Sequence, residues 1–146
     1  MNRGLDADKQ LTLFFAAQEK LYNAGARNFI FFTVPPFHRS PIGYASICSV
    51  LMIGTHNKAL VTRIEEWNEM LATRSKTFHE RFADISLAIY DAYWVFNRIL
   101  NNPRENGFRD AVSICYEGCI WHDHIHPTAK VHELLAAGLS ALLNEN

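Results

Sequence analysis

Apolar residues recur every three or four positions in four parts of the chain, which is the spacing of one buried helix face. In the first part, Asp6 or Asp8 can cap the N-terminus of a helix, and Gly25 suits the turn that ends it. We predict further helices over Lys58–Phe82, Tyr93–Leu100 and Thr128–Leu143. The last is expected to bury Val131, Leu134, Leu135, Leu139, Leu142 and Leu143.

Two apolar runs predict strands. Asn28–Val34 is apolar on both faces, which is typical of a central strand in a parallel sheet, and Pro35 and Pro36 end it because proline cannot donate to a strand ladder. The second run, Ile85–Tyr90, ends at Asp91. Helices and strands thus alternate along the chain. This order predicts an α/β fold with parallel strands and helices on the faces of the sheet.

Two strands are few for such a sheet. A two-stranded parallel pair is marginal in water and leaves two apolar edges open. We therefore expect the pair either to be completed by another chain or to self-associate through the exposed sheet edges.

Composition and charge narrow the class of protein. The 146 residues make one domain at most, and 49% hydrophobic residues exclude a disordered tail. Fourteen basic and fifteen acidic residues give a net charge of −1, which argues against a nucleic-acid partner and against a polybasic membrane anchor. The first residues lack the apolar core of a signal peptide, and the longest apolar stretch, Ile47–Gly54, is too short to span a bilayer.

Three cysteines are too few for a disulfide scaffold. Cys115 and Cys119 lie four residues apart and can close a small loop in an oxidising compartment, which leaves Cys48 over. Three buried thiols are an equally consistent interpretation.

The most informative stretch is Trp121-His-Asp-His-Ile-His-Pro-Thr128, which places three histidines and an aspartate before a helix. Three interpretations compete: loop polars with a helix cap, a metal site, or the base half of a hydrolytic triad. The metal interpretation lacks further ligands, because the other histidines are scattered and the cysteines form no C-x-x-C pair. We expect no metal and no cofactor.

The D-x-x-H spacing of Asp123 and His126 favours the triad interpretation. A carboxylate that accepts a hydrogen bond from one imidazole nitrogen fixes the tautomer and stabilises the imidazolium. The other nitrogen is then free to take a proton from a serine hydroxyl.

Six segments carry a resemblance to a known family: Leu21–Pro36, His38–Pro41, Trp67–Asn68, Phe96–Pro103, Asn106–Phe108 and Trp121–Thr128. In this order they resemble the C-terminal half of the SGNH, or GDSL-type, hydrolases, in particular a fungal acetylesterase-like branch that deacetylates carbohydrates. The resemblance implies a three-layer α/β/α, flavodoxin-like sandwich, of which residues 1–146 form a single partial domain with the N-terminal strands missing. It also implies hydrolysis of small esters, acetylated carbohydrate above all, with Asp123 and His126 as the acid and base of the triad.

The nucleophile and the oxyanion donors of that family have no counterpart here. None of the seven serines lies in Gly-Asp-Ser, and there is no Asn-Asp dipeptide. Because the members of a triad act as a unit, we expect the chain alone to have little or no activity. The alternatives are a non-catalytic remnant or binding module, and a metal-binding protein built on the histidine cluster. Many family members are extracellular, but the sequence leaves the compartment open.

Three further residues are candidates for substrate contact. His38 and Arg39 follow the end of the first predicted strand, where ligands of parallel α/β sheets bind, although a solvated loop is the favoured interpretation. Trp121 can stack on a sugar ring, but packing under the loop is favoured. The apolar run within residues 43–56 departs from the family pattern, and it is either an inserted lid or an error in the gene model.

Overall fold

The computed structural model describes residues 6–43 and 55–144. Within them, the four helices and two strands predicted from the pattern are confirmed, with boundaries that differ by a few residues. Single 3₁₀ turns form at Phe37–Arg39 and Arg104–Asn106. The apolar run 47–53 lies outside the described residues. The elements are α1 (Ala7–Asn23), β1 (Asn28–Phe32), α2 (Thr55–Arg81), β2 (Ser86–Tyr90), α3 (Ala92–Asn101) and α4 (Ala129–Asn144).

Aspartate side chains define where two of the helices begin. Asp6 caps α1 by accepting the Lys9 N–H at 3.3 Å. Asp91 caps α3 by accepting the Trp94 N–H at 3.0 Å, and it also accepts the Thr33 hydroxyl at 3.1 Å. Since Thr33 follows β1 and Asp91 follows β2, this second bond ties the carboxyl ends of the two strands together.

Within the described residues, β1 and β2 form a two-stranded parallel sheet. The register runs from Asn28 opposite Ser86 to Phe32 opposite Tyr90. Helices pack on both faces, so this part of the chain has the predicted α/β architecture, consistent with part of an α/β/α sandwich. Self-association through the sheet edges stays a prediction.

One face of the sheet carries a cluster of aromatic rings, which we call the aromatic core. Here α1 and α2 pack on β1, and the rings of Phe14 and Phe15 meet Phe31 edge to face at 5.3 and 5.5 Å. Each such pair contributes about 0.5–1.5 kcal/mol beyond the area that it buries. The buried members of the aromatic core are Leu11, Phe29, Phe31, Leu71, Phe78 and Ile85.

The opposite face is covered by α4. The Tyr90 hydroxyl donates to the Leu135 carbonyl at 2.8 Å, and a Cβ at Gly138 would lie only 2.5 Å from that hydroxyl oxygen, so a larger residue there would displace the Tyr90 side chain. The prediction that β1 is covered on both faces is wrong at Phe32, which is 50% exposed. A groove between the single helix α4 and the end of β1 leaves this ring accessible.

The last turn of α4 also departs from the sequence pattern. Val131 is fully buried, but Leu143 is 49% exposed although its spacing predicts burial. The 16 residues of α4 extend ~24 Å, whereas the five residues of β2 extend ~17 Å, so the helix outruns the strand. No helix in residues 6–43 and 55–144 is long and apolar enough to cross a membrane.

The chain between α3 and α4 packs with these two helices into a second cluster, which we call the loop core. Its longest regular element is one 3₁₀ turn. Cys115 and Cys119 form a disulfide with their Cα atoms 5.5 Å apart. The prediction that these two cysteines close a small loop is therefore confirmed, and the alternative of buried free thiols is wrong for this pair. Cys48 lies outside the described residues. The buried members of the loop core are Phe96, Ile99, Leu100, Phe108, Ile120, Trp121 and Val131.

Candidate active site

Residues 122–126, which we call the Asp–His loop, lie beside the carboxyl end of the sheet. Pro35, just after β1, lines the same cavity as His126. The Ile42 N–H donates to the His124 carbonyl at 3.0 Å, which joins the segment after β1 to the loop. Ligands of open α/β sheets bind at this edge, so the loop occupies the position expected of a site.

Hydrogen bonds close the Asp–His loop at its base. The His122 N–H donates to the His126 carbonyl at 2.8 Å, and the Thr128 N–H donates to the Ile120 carbonyl at 2.8 Å. The buried Thr128 hydroxyl also donates to the Cys119 carbonyl at 2.9 Å. The loop is therefore anchored directly on the loop core.

Asp123 uses both carboxylate oxygens within its own loop. Oδ1 accepts the N–H groups of Ile125 at 2.8 Å and His126 at 2.7 Å, and Oδ2 lies 2.8 Å from His126 Nδ1. The backbone N–H of His126, then that of Ile125, then the His126 ring hold the pKa of the Asp123 carboxyl well below its ordinary value of 3.8. Asp123 is therefore ionised at neutral pH and acts as the acceptor for the imidazole.

This arrangement sets the chemistry of His126. When the neutral ring donates Nδ1–H to Asp123, the lone pair lies on Nε2. The side chain is 73% exposed, and no hydrogen-bond partner for Nε2 lies among the residues that the structure describes. Nε2 is therefore an accessible base.

The other two histidines of the loop are placed differently. The His122 ring packs edge to face on Tyr116 with the centroids 5.0 Å apart, and the His124 backbone holds Ile42. Asp123 is thus paired with His126 and not with its immediate neighbours. In residues 6–43 and 55–144, no group of three or more His, Cys, Asp or Glu side chains is placed to hold a metal ion.

His38 and Arg39 lie on the turn after β1 but outside the cavity that His126 lines. Arg39 donates to the Asn97 side-chain oxygen of α3 at 2.6 Å. Burial lowers the pKa of His38, with the neighbouring Arg39 charge as a second cause, and His38 Nδ1 has no partner among the described residues. Substrate contact by either residue stays a prediction.

Trp121 is buried, with 1% of its surface exposed. Its indole N–H donates to the Ala111 carbonyl at 2.8 Å, and its ring lies against Phe96 with the centroids 5.5 Å apart. The ring still forms part of the wall of the cavity beside His126. It can therefore contact a bound group only from inside that cavity.

The cavity itself has a volume of about 310 Å³, and sequence reasoning missed most of its wall. Phe37, Ile125 and Leu135 come from a turn, a loop and a helix, and only the fold brings them together. One indication of this wall was present in the sequence, since an apolar residue follows each of two motifs. Phe37 follows Pro-Pro, and Ile125 follows Asp-His. A larger groove of about 700 Å³ lies between α3 and α4 beside the end of β2, and it contains neither residue of the Asp–His pair.

The described residues form a parallel α/β fold with an Asp–x–x–His loop at the carboxyl edge of its sheet, and sequence comparisons relate the chain to esterases. The chain is 32% identical to an acetylesterase of Thermothelomyces thermophilus over 133 residues, which are 87% of this chain and 41% of the acetylesterase. It is 26% identical over 159 residues to a GDSL esterase/lipase of Arabidopsis thaliana, covering 91% of this chain and 44% of that protein.

A second Arabidopsis thaliana relative, the GDSL esterase/lipase APG, is 21% identical over 83% of this chain and 40% of its own length. No family model matches the chain. The matches relate the chain to the SGNH, or GDSL-type, hydrolases over most of its length. The chain spans about two fifths of the length of these relatives.

Proposed function

We propose that Asp123 and His126 are the acid and base of an SGNH-type serine ester hydrolase. The observation that carries the proposal is the 2.8 Å contact between His126 Nδ1 and an ionised Asp123, which leaves Nε2 exposed as a base. Two backbone N–H groups fix the Asp123 carboxylate, so the pair is held by the loop itself.

In this mechanism His126 Nε2 takes the proton of a serine hydroxyl as that oxygen attacks the ester carbonyl. The resulting imidazolium is stabilised by Asp123, and it gives the proton to the leaving alcohol. Water then repeats the sequence on the acyl-enzyme, and the same nitrogen first accepts and then returns the proton.

The substrate class follows from the relatives. One is named an acetylesterase and two are named esterase/lipase, so we propose acetyl or other acyl esters. The family resemblance of the six sequence segments extends the proposal to acetylated carbohydrate. His38 and Arg39 are proposed as outer contacts of the substrate, and Trp121 as an inner one.

We propose that none of the serines that the structure describes is the nucleophile. Ser40 and Ser75 are buried and donate to backbone carbonyls at 2.8 and 2.7 Å, and Ser113 donates to Asp110. No described serine lines the cavity beside His126. We therefore propose that the 146-residue chain alone has little or no turnover.

Acetate release from glucose pentaacetate tests the inactivity of the chain alone. The unaltered chain, His126→Ala and the matched loop variant His122→Ala should all release acetate at the uncatalysed rate. A rate above background that only His126→Ala abolishes would mean that the chain contains its own nucleophile.

A chimaera tests the role of the pair. The segment of the Thermothelomyces thermophilus acetylesterase that matches this chain is replaced by the chain, and folding is checked by cooperative unfolding. We expect acetate release that falls about 10⁴-fold or more in His126→Ala and stays near its starting rate in His122→Ala. A folded, active chimaera that tolerates His126→Ala would refute the proposed base, and a folded chimaera without any turnover would favour a binding module.

A further inference from the structure

The groove between α3 and α4 is separate from the cavity beside His126. Phe96 of α3 lines the cavity, whereas Trp94 and Arg98, each two residues from Phe96, line the groove. Residues two apart on a helix point to nearly opposite sides, because each residue turns the helix by about 100°. Helix α3 therefore stands between the two spaces, and the groove has no part in the chemistry proposed for His126.

Side chains of different chemistry follow one another along the groove side of α3. Asp91, Trp94 and Arg98 are spaced by three and four residues, so they share one face of the helix and span two turns, about 10 Å. Trp94 is 54% exposed, and the Arg98 guanidinium lies over its ring, 4.8 Å from the centroid. An acceptor, an aromatic ring and a donor thus stand in a row along the groove.

The polar groups that line the groove have unused hydrogen-bonding capacity. Asp91 Oδ1 accepts the Trp94 N–H and the Thr33 hydroxyl, whereas Oδ2 has no partner among the residues that the structure describes. Within the same residues, the Arg98 guanidinium contacts the Trp94 ring and has no acidic partner and no hydrogen-bond acceptor. The Asn106 side chain donates to a backbone carbonyl at 2.7 Å, and its oxygen accepts no bond from any described residue.

The rest of the wall is apolar, and the space is large. Ile99, Leu134 and Ala141 contribute hydrocarbon from the two helices. The volume of about 700 Å³ corresponds to roughly 23 water-sized groups at about 30 Å³ each. One sugar unit within a chain has about eleven non-hydrogen atoms, so roughly two units fit the groove.

We propose that this groove binds a short stretch of an uncharged polysaccharide. A sugar unit has an apolar C–H face, which packs on an exposed indole, and hydroxyl groups at its rim, which both donate and accept hydrogen bonds. Asp91 accepts from such hydroxyls, and Arg98 donates to them. These two residues are the charged ones that line the groove, so its charges balance, which favours a neutral ligand over an anionic one. The proposal does not rest on the proposed function, because it needs neither Asp123 nor His126.

Binding to the full 146-residue chain tests the proposal. Cellohexaose, xylohexaose and mannohexaose are titrated against ¹⁵N-labelled protein, with hexagalacturonic acid as the charged comparison. The signals followed are the indole N–H groups of Trp94 and Trp121 and the side-chain amide of Asn106. We expect at least one neutral hexasaccharide to give saturable shifts of Trp94 and Asn106, and its monosaccharide to bind about tenfold more weakly or less well still.

Three outcomes of this titration would overturn the inference. The first is no saturable shift with any of the three neutral hexasaccharides. The second is tighter binding of hexagalacturonic acid, which would indicate an anion site at Arg98. The third is a set of shifts confined to Trp121, which would place the sugar in the cavity beside His126.

Trp94→Ala removes the exposed ring and should weaken binding, followed at Asn106, by about tenfold or more. The matched control is Tyr116→Ala, because that ring is 85% exposed and lies outside the groove, and it should leave the affinity unchanged. If Trp94→Ala does not unfold cooperatively, Arg98→Gln removes the donor instead and should weaken binding about tenfold.

An affinity that survives both groove variants, or that falls equally in Tyr116→Ala, would overturn the inference. Such a failure is separate from a failure of the proposed function. The His126-dependent release of acetate by the chimaera tests that function, and glucose pentaacetate is not a polysaccharide.

Discussion

The aromatic core and the loop core are built in different ways. The aromatic core takes its buried residues mainly from regular elements, such as Leu11 in α1, Phe31 in β1 and Phe78 in α2. Arg81 of α2 pairs with Glu19 of α1 at 2.7 Å across its edge. The loop core joins residues of α3 and α4 to three residues of the chain between them, Phe108, Ile120 and Trp121. That connecting chain is held by a disulfide and by side chains that donate to backbone carbonyls.

The two cores therefore control different properties of the candidate site: its position on the sheet and the geometry of the Asp123–His126 pair. The regular elements determine where the strands end, and therefore which edge of the sheet carries a site. The loop core determines how Asp123 and His126 face each other, because their loop closes on Ile120 and Cys119 through Thr128. Changes in the two cores should therefore have different consequences for His126.

The largest expected effect comes from removing the central ring of each core. Trp121→Ala and Phe78→Ala should each cost about 3–5 kcal/mol of unfolding free energy, because both rings are buried. Urea unfolding measures the loss. In the folded population, ¹⁵N NMR of the imidazole should still show the Nδ1–H tautomer of His126 in Phe78→Ala and a mixture of tautomers in Trp121→Ala. The same tautomer in both variants would contradict the separation of roles.

Removal of the disulfide should have the second-largest effect on the free energy of unfolding. Cys115→Ala/Cys119→Ala opens a five-residue ring, and the chain-entropy model gives a loss of about 2 kcal/mol. Urea unfolding checks this value. A reducing agent should destabilise the unaltered chain by a similar amount and should not affect the double variant. If reduction destabilises both proteins equally, the bond between Cys115 and Cys119 is not the source of the effect.

The contrast between regular elements and connecting segments also explains which parts of the fold and of the candidate site could be predicted from the sequence. The four helices and two strands follow from periodicity and from the stop at Pro35, because regular elements depend on local spacing. Asp123 and His126 are only three residues apart, so their pairing could also be predicted from the sequence. The burial of Phe32 and Leu143 was predicted wrongly, because burial depends on how α4 lies on the sheet. Leu143 lies where α4 extends beyond the strands, and Phe32 lies in a groove that α4 leaves open. The cavity wall was missed because it is assembled from distant segments.

Thr128→Val should have a smaller effect than loss of the disulfide. It removes the hydroxyl that donates to the buried Cys119 carbonyl and leaves that oxygen without its partner, at a cost of about 1–2 kcal/mol. Thr128→Ser keeps the hydroxyl and should recover most of the loss in urea unfolding. Equal losses in both variants would assign the effect to packing of the methyl group.

The smallest expected effect concerns the charge of Asp123, because an exposed carboxylate is screened by solvent. Its folded-state pKa lies below the ordinary value of 3.8, chiefly because two backbone N–H groups donate to it. A lowered pKa contributes stability that is present above pH 3.8 and is lost as the pH falls through the folded-state pKa. Asp123→Asn should therefore lower the melting temperature at neutral pH, and the difference from the unaltered chain should shrink in strong acid.

Asp84 provides the matched comparison beside the aromatic core. Its pKa is also lowered, first by the Tyr22 hydroxyl and further by Arg27, and it is equally exposed to screening. Asp84→Asn should show the same acid-dependent difference in melting temperature and should leave the Nδ1–H tautomer of His126 intact. Asp123→Asn should change that tautomer, because the amide no longer provides a charged acceptor for the ring. An unchanged His126 tautomer in Asp123→Asn would mean that the loop backbone, and not the carboxylate, orients the imidazole.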